Sequence, residues 1–562
     1  MKRKLRILNA SRLIPLAIFA CAFAVRMAFV LQVKGSAYWR IPSVDALLYD
    51  VTAQEMLKSG WLASVPPGPY FQPPFYQAFL ALIYLVFGHS TLVAQVIQYL
   101  IGSATCVLIY LIGQRFFGRT VGIIAGFATA FTASQIFYEG LLVPPALITI
   151  LNLTVIFLAA KQLSTPAVWR WPVMGLLVGI SAIARPDILM LVPALLVWMW
   201  IERRTVFSGK RILWTAILLI GVILPVGLVG LRNLVVGKDF QLISFNGGLN
   251  FFIGNHPHME KTLGIRPGMR WTQFLAVPME EGVTKPSQIS KWYYQHALLM
   301  MWKCKRATIS NLEHKFVWVW RGPEIRRNED DYFLTRVSSV YRALLWRKGN
   351  FGFPFGVIGP LALIGMVMSI HRRRELFLLY SYIATQVLML VIFFPCSRYR
   401  APMVPVLIVF AATASVEIVH LIKKREVGRI LLVLCLLVSF VTLSVMWPPK
   451  FEGTPASIEA EDCRVLGDNL FAEGRPDESL AAYEQGIKLA PSDPDLNACL
   501  MHAYYEKGDY AKAEKHAVTC LLAAPRFRST YEMLIAICVA EGKYDRAEVV
   551  ENALEEARPD LY

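Results

Sequence analysis

Charge is what this chain has least of. Only 17% of its 562 residues are Asp, Glu, Lys or Arg, and 56% are hydrophobic. Ordinary soluble domains carry about 25% charged residues. A string of water-soluble domains, which the length alone would suggest, is therefore excluded for most of the chain. Acidic residues are the scarcer sign, 40 against 57 Lys and Arg, leaving a net charge of +17. No basic stripe interleaves with stacking aromatics in a polar module, so the excess does not read as a nucleic-acid surface. In a membrane chain, positive charge gathers in cytoplasmic loops and sets topology. No Gly-x4-Gly-Lys-Ser/Thr loop is present to cradle a nucleotide phosphate. The nine cysteines contain no Cys-x-x-Cys, and His256 and His258 lack paired-ligand spacing. The sequence therefore supports no cofactor and gives no support to a divalent metal.

What it has instead are apolar runs near bilayer length, recurring from Leu13 to Trp447. Five basic residues, Lys2, Arg3, Lys4, Arg6 and Arg12, precede the first run. Ala22-Phe23-Ala24 resembles a signal-peptidase site, but an uncleaved first span with Arg26 near its outer end is the preferred reading. Further spans are expected near 91–113, 120–139, 141–160, 172–184, 188–201, 212–231, 353–370, 376–395, 401–421 and 429–447, about eleven in all. The clusters Arg115/Arg119, Lys161/Arg170, Arg203/Arg204/Lys210/Arg211, Arg372–Arg374 and Lys423–Arg425 then all fall on the cytoplasmic side. This requires the short run at 75–87 to lie at the interface rather than cross. A first loop at 34–90, a large loop at 233–352 and the C-terminal region are left outside, with the N-terminus in the cytoplasm.

The polar C-terminal region repeats itself. Gly474, Gly508 and Gly542 stand 34 residues apart, as do Pro491, Pro525 and Pro559; Ser479, Ala513 and Ala547 follow each glycine by five. This period resembles the tetratricopeptide repeat, in which glycine turns one helix into the next and a small residue lets the pair approach. Three repeats at 458–562 imply an α-solenoid, either a bare stacking scaffold or a surface for an acceptor or partner protein. Cys463, Cys499, Cys520 and Cys538 lie here; a disulfide among them would need an oxidising compartment.

Ionisable residues at span ends are costly to keep near lipid and so attract attention. Asp45 follows the first span. Glu139 sits where the third meets the outer face. Arg185-Pro186-Asp187, Arg232-Asn233 and Arg398-Tyr399-Arg400 all occupy outer turns. Arginine's planar fork suits phosphate binding in a partly dry site. An anionic lipid head group held by Arg, with a carboxylate nearby as base, is a coherent expectation. Interfacial anchoring is the plainer reading of each Arg taken alone.

The run Ser43-Val44-Asp45-Ala46-Leu47-Leu48-Tyr49-Asp50-Val51-Thr52-Ala53-Gln54-Glu55-Met56-Leu57 resembles the first-loop motif of GT-C fold glycosyltransferases. The pattern is most similar to protein mannosyltransferases and to bacterial aminoarabinose transferases acting on lipid A. Tyr70-Phe71-Gln72-Pro73-Pro74, Ala184-Arg185-Pro186 and the glycine-containing run from Ser244 to Asn255 are similar too. The sequence departs at Leu48, where aminoarabinose transferases have Arg, and at Gln72-Pro73, where they have an acidic-basic pair.

The resemblance implies a mainly α protein: a polytopic GT-C-type domain over 1–450, followed by the repeats. It implies transfer of a sugar from a polyprenyl-phosphate carrier to a protein, lipid or glycan acceptor, at the outer face of a bacterial inner membrane. Asp45 would be the catalytic base, with Asp50 the alternative on another helix face. Tyr49, Tyr70, Glu139, Arg185, Asn250, Asn255, Arg398 and Arg400 would contact substrate. Two competing functions are a surface-glycan ligase or polymerase and a non-catalytic scaffold that recruits partners through its repeats.

Overall fold

The computed structural model describes residues 2–202, 207–525 and 527–556. Arg203 and Arg204 of the cytoplasmic cluster, and Pro559 of the repeat period, lie outside the described residues. The protein is mainly α; its two strands form one short antiparallel hairpin, Trp346–Lys348 with Phe351–Phe353.

Six described helices are long and apolar enough to cross a bilayer: Leu13–Val33, Thr91–Phe117, Pro145–Ser164, Ser208–Val235, Ser397–Lys424 and Val427–Val445. The span expected at 120–139 is a bent pair, Arg119–Ala130 and Ala133–Gly140, with 52° between its parts. Counting that pair as one span gives up to seven. Phe75–Phe87, Arg170–Ala182, Phe355–Met368 and Phe377–Ile392 are apolar but shorter. Each falls below the roughly 20 residues that a ~30 Å hydrocarbon layer asks of a helix. The expected pair at 172–184 and 188–201 becomes Arg170–Ala182, a 3-10 turn at Pro186–Met190, and Leu191–Glu202.

The chain divides into two compact units. The first contains all the apolar helices and comprises Met1–Lys34, Asp45–Met259 and Lys285–Pro449. Its largest core brings together side chains from the helices at Thr91–Phe117, Pro145–Ser164, Arg170–Ala182, Leu191–Glu202 and Val404–Lys424. The second comprises Gly35–Val44, Glu260–Thr284 and Lys450–Tyr562.

Within the second unit, six helices from Pro455–Ala472 to Tyr544–Glu556 form three hairpins at the expected period. Gly474, Gly508 and Gly542 turn each hairpin at φ of +72°, +78° and +73°, a conformation that costs glycine little and other residues much. Ser479, Ala513 and Ala547 are buried where the paired helices meet. All nine cysteines are free thiols, so no disulfide staples the repeats. Small-residue packing and Asp493, which caps the helix Pro494–Glu506 by accepting from the Leu496 N–H at 2.9 Å, hold them instead.

Deep in the first unit, Arg26 and Glu139 form a two-point ion pair, Nε to Oε2 at 2.6 Å and Nη2 to Oε1 at 3.1 Å. Both are buried, and Arg26 also donates to the carbonyls of Ala22 and Ala130. Gly102 makes room: a Cβ there would collide with the Glu139 carboxylate. Removing one member of such a pair leaves an uncompensated buried charge. Arg26→Leu should therefore lower stability by about 3–5 kcal/mol. Arg26→Leu combined with Glu139→Leu should recover most of that loss, and Gly102→Ala should weaken the protein by displacing Glu139. Melting temperatures in detergent check the series; a double variant no better than the single would refute the pairing argument.

Candidate functional site

Asp45 opens the helix Val44–Ser59, in the first turn, where the macrodipole favours negative charge. The helix starts at Val44 with φ of +50°, a left-handed conformation that is costly for a β-branched residue and that occurs mainly where a site demands it. Tyr49 stands one turn further along the same face, buried edge-to-face against Tyr76 at 5.0 Å.

Three donors from distant parts of the chain converge on the Asp45 carboxylate. Gln72 donates to Oδ1 at 2.9 Å. Asn328 donates to Oδ2 at 3.0 Å. Arg398 Nη1 lies 2.6 Å from the same Oδ2. The side chains of Asp45 and Arg398 keep 24% and 11% of their exposure, so the pair is sheltered yet open on one side. Gln72, one of the two positions at which the first-loop resemblance fails, is thus one of the groups that orient Asp45.

Asn328 belongs to a stretch with no counterpart among the expected site residues. Between Arg321 and Asp331 the chain carries seven ionisable side chains, and all seven are buried. Reciprocal hydrogen bonds fasten this stretch to the start of the span at 397–424. Ser397 N–H donates to Ile325 O at 2.9 Å, and Ile325 N–H donates to Ser397 Oγ at 2.7 Å. Arg400 Nη2 pairs with Glu324 at 2.7 Å, and Tyr138 donates to Asp331 at 2.8 Å. Glu329 Oε1 lies 4.0 Å from Arg398 Nη1, so two carboxylates share one guanidinium. Burial pushes the Glu329 carboxyl up from the usual range, with Arg398 opposing and Asp45 reinforcing the shift. Burial likewise pulls the Arg327 guanidinium down; it lies over the Phe394 ring and within electrostatic reach of Asp45. The signal in the sequence was the density of charge in 321–331, which a solvated loop would equally show.

The other expected residues are distributed as follows. Arg185 donates to Tyr399 O at 3.3 Å and Gln386 Oε1 at 2.8 Å, and pairs with Asp187, bracing the backbone beside Arg398. Arg400 is one residue-pair away from Arg398 but is engaged by Glu324, by the carbonyls of Val319 and Arg321, and by the Phe355 ring. Tyr70 lies under Arg232, with the guanidinium 4.0 Å from its ring centre, and its backbone exchanges hydrogen bonds with Asn233 and Phe245. Asn255 accepts from Lys315 Nζ at 3.0 Å and donates to the carbonyls of Phe251 and Ile392. Asn250 is half-buried on the helix Asn246–Asn255. Glu139, expected to contact substrate, has its carboxylate taken by Arg26. Asp50 joins Tyr84, Gln54 and His89 in a separate cluster, as its place on another helix face implied. Among the described residues, no three His, Cys, Asp or Glu side chains are grouped to hold a metal ion.

Residues 71–228 match the family of dolichyl-phosphate-mannose-protein mannosyltransferases, and residues 470–538 match the tetratricopeptide repeat. Over these residues the chain is similar to that mannosyltransferase family and to the repeat, and the first match begins at Phe71, leaving Asp45 outside it. No curated protein matches the chain. Solved structures similar to it include an Archaeoglobus fulgidus oligosaccharyltransferase tethered to an acceptor peptide (12% identity, TM-score 0.44, 83% of this chain and 58% of that one). Also similar is ArnT from Cupriavidus metallidurans bound to undecaprenyl phosphate (12% identity, TM-score 0.42, 92% of this chain and 80% of that one). This chain thus spans under two thirds of the oligosaccharyltransferase's length.

The raised Glu329 carboxyl makes a pH prediction. The folded protein holds this proton to higher pH than the unfolded chain, whose Glu titrates near ~4.3. The folded state then binds more protons across the window above that value, so stability falls as pH rises through it. Glu329→Gln should remove this slope, gaining stability over the parent at pH 8 but not at pH 4. Melting temperature against pH measures it; parallel profiles for the two proteins would refute the assignment.

Proposed function

We propose that the protein transfers a sugar from a polyprenyl-phosphate carrier to a hydroxyl-bearing acceptor at the non-cytoplasmic face of the membrane, with Asp45 as general base. The observation that carries this reading is the convergence of Gln72, Asn328 and Arg398 on one partly open carboxylate. A base must be held in one orientation and yet be reachable, and the surrounding donors meet the first need while its residual exposure meets the second.

One sequence of events is compatible with this geometry. With no substrate, Arg398 neutralises Asp45. A phosphate is a stronger, multidentate acceptor for a guanidinium than a single carboxylate oxygen. A carrier phosphate entering beside Arg398 would draw the guanidinium to itself, with Arg327 as the second cation, and leave Asp45 held by Gln72 and Asn328 alone. The acceptor hydroxyl then attacks the anomeric carbon. Its oxygen forms the new glycosidic bond, its proton passes to Asp45, and the bond from the anomeric carbon to phosphate oxygen breaks. The electron pair leaves with the polyprenyl phosphate, whose growing charge the two arginines stabilise. Attack opposite the leaving phosphate inverts the anomeric centre. Tyr49 packs behind Asp45, and Arg185 supports the backbone at Tyr399; both act by positioning.

Asp45→Asn keeps the shape and hydrogen bonding but removes the base. Transfer should fall by about 10²-fold or more, the lower end of what a general base supplies, with donor binding retained. Transfer in vesicles with a radiolabelled polyprenyl-phosphate sugar measures it, and an active Asp45→Asn protein would refute the mechanism. Arg398→Lys keeps the charge and loses the fork. It should raise the KM for the donor about tenfold or more while the KM for acceptor stays near the parent's. Equal effects on both would mean that Arg398 serves the fold rather than the phosphate.

A further inference from the structure

The repeats of the second unit are not bare. Two loop segments of the same chain lie against them, Gly35–Val44 and Glu260–Thr284. The contacts of the second segment are specific. Met269 N–H donates to Asp495 Oδ1 at 2.7 Å. Arg464 donates to Pro267 O at 3.0 Å, Arg266 pairs with Glu461 at 3.3 Å, and Arg270 lies 3.7 Å from Asp493 and 3.9 Å from Asp495. Two basic residues four apart therefore meet an acidic face on the helices Pro455–Ala472 and Pro494–Glu506. Gly268 permits the approach, since a Cβ there would collide with the Asp495 carboxylate. Asp495 is itself buried, and burial pushes its carboxyl up while the Met269 N–H and Arg464 oppose the shift. Such a group needs donors, and the loop segment supplies one.

The first segment is held by different means. Asn469 donates to Ala37 O at 3.3 Å, Arg40 pairs with Glu473, and Ala37 packs with Leu470 and Ala482 in a small apolar cluster. An ion pair and a hydrogen bond to the segment's backbone recur at both segments, on the first two repeats, and apolar packing is added at the first.

We propose that these repeats are an intramolecular clamp: their acidic face binds residues 266–270 of the large loop in cis, and their first repeat binds residues 37–40 of the first loop. The sequence left open a scaffold or a platform for a partner protein. On this face the occupant is the chain itself. Tethering explains how a few modest contacts suffice, because a segment on the same chain sits at high effective concentration. One consequence follows: the repeats and both loop segments lie on one side of the membrane. The inference stands on the repeats' own contacts and does not depend on the sugar-transfer reading.

Disulfide trapping in the full-length protein tests it. Met269 Sδ lies 4.0 Å from Cys520 Sγ. Met269→Cys, oxidised in detergent, should give an intrachain disulfide between position 269 and the native Cys520, seen by mass spectrometry of unreduced peptides and absent when Cys520→Ser is added. A monodisperse protein with no such disulfide would overturn the proposal. So would an interchain dimer through the same pair, since a second copy would then be the occupant. A second measurement needs no new cysteine. Asp495→Asn should speed limited tryptic cleavage after Arg270 by about fivefold or more, because the Met269 N–H loses a charged acceptor. An unchanged cleavage rate in a monodisperse Asp495→Asn protein would also overturn it.

Discussion

Almost everything about the candidate site depends on one constraint: a carboxylate and a guanidinium far apart in the chain, Asp45 and Arg398, meet at 2.6 Å where both are largely withdrawn from water. Each would be costly to shelter alone. Together, and with Gln72 and Asn328 completing the carboxylate's hydrogen bonds, they define a place where charge is tolerated and where its balance can be changed by a third charged group. The first loop, the large loop and the start of the span at 397–424 must all be in position for that meeting to occur.

The stretch 321–331 shows how the protein affords so many buried charges. The named contacts join it to three other elements: Glu324 and Ile325 to Arg400 and Ser397 on one short helix, Asn328 to Asp45, and Asp331 to Tyr138. These are opposite charges or donor–acceptor pairs, which is the condition under which buried polar groups become specifying rather than merely costly. Arg26 and Glu139 obey the same rule elsewhere in the first unit, and there the pair is closed on both sides by Gly102 and by backbone carbonyls. The difference between the two pairs is one of access. Glu139 has no open side, whereas Asp45 does.

Much of the architecture was legible in residue order. Apolar runs announced the membrane helices because lipid demands length and apolarity along one continuous segment. The 34-residue period announced the repeats because each glycine must supply the same positive-φ turn. The first-loop pattern singled out Asp45, and Arg398 was picked out by its place in an outer turn. Their meeting, and the exclusion of Glu139, Asn255 and Arg400 from direct contact with Asp45 by commitments to Arg26, Lys315 and Glu324, were not legible. Nor was the bend at 52° that turns one expected span into two helices.

The sequence by itself indicated a helical membrane protein, the repeat register and Asp45, with Asp50 as the alternative, as the candidate carboxylate of the first-loop helix. Those properties are local: the first two follow from composition and spacing within segments of a few tens of residues, and the third from the resemblance of the first loop to GT-C glycosyltransferases. Only the tertiary structure decided which arginine faces that carboxylate, that Asn328 and Gln72 orient it, and that an acidic repeat face is filled by the chain's own loop. Those facts join residues separated by 27 to more than 350 positions, and no spacing rule reaches across such distances. Pairing of buried charge is settled by which partners packing brings within hydrogen-bond range, and in this protein that is what surrounds Asp45 with Gln72, Asn328 and Arg398.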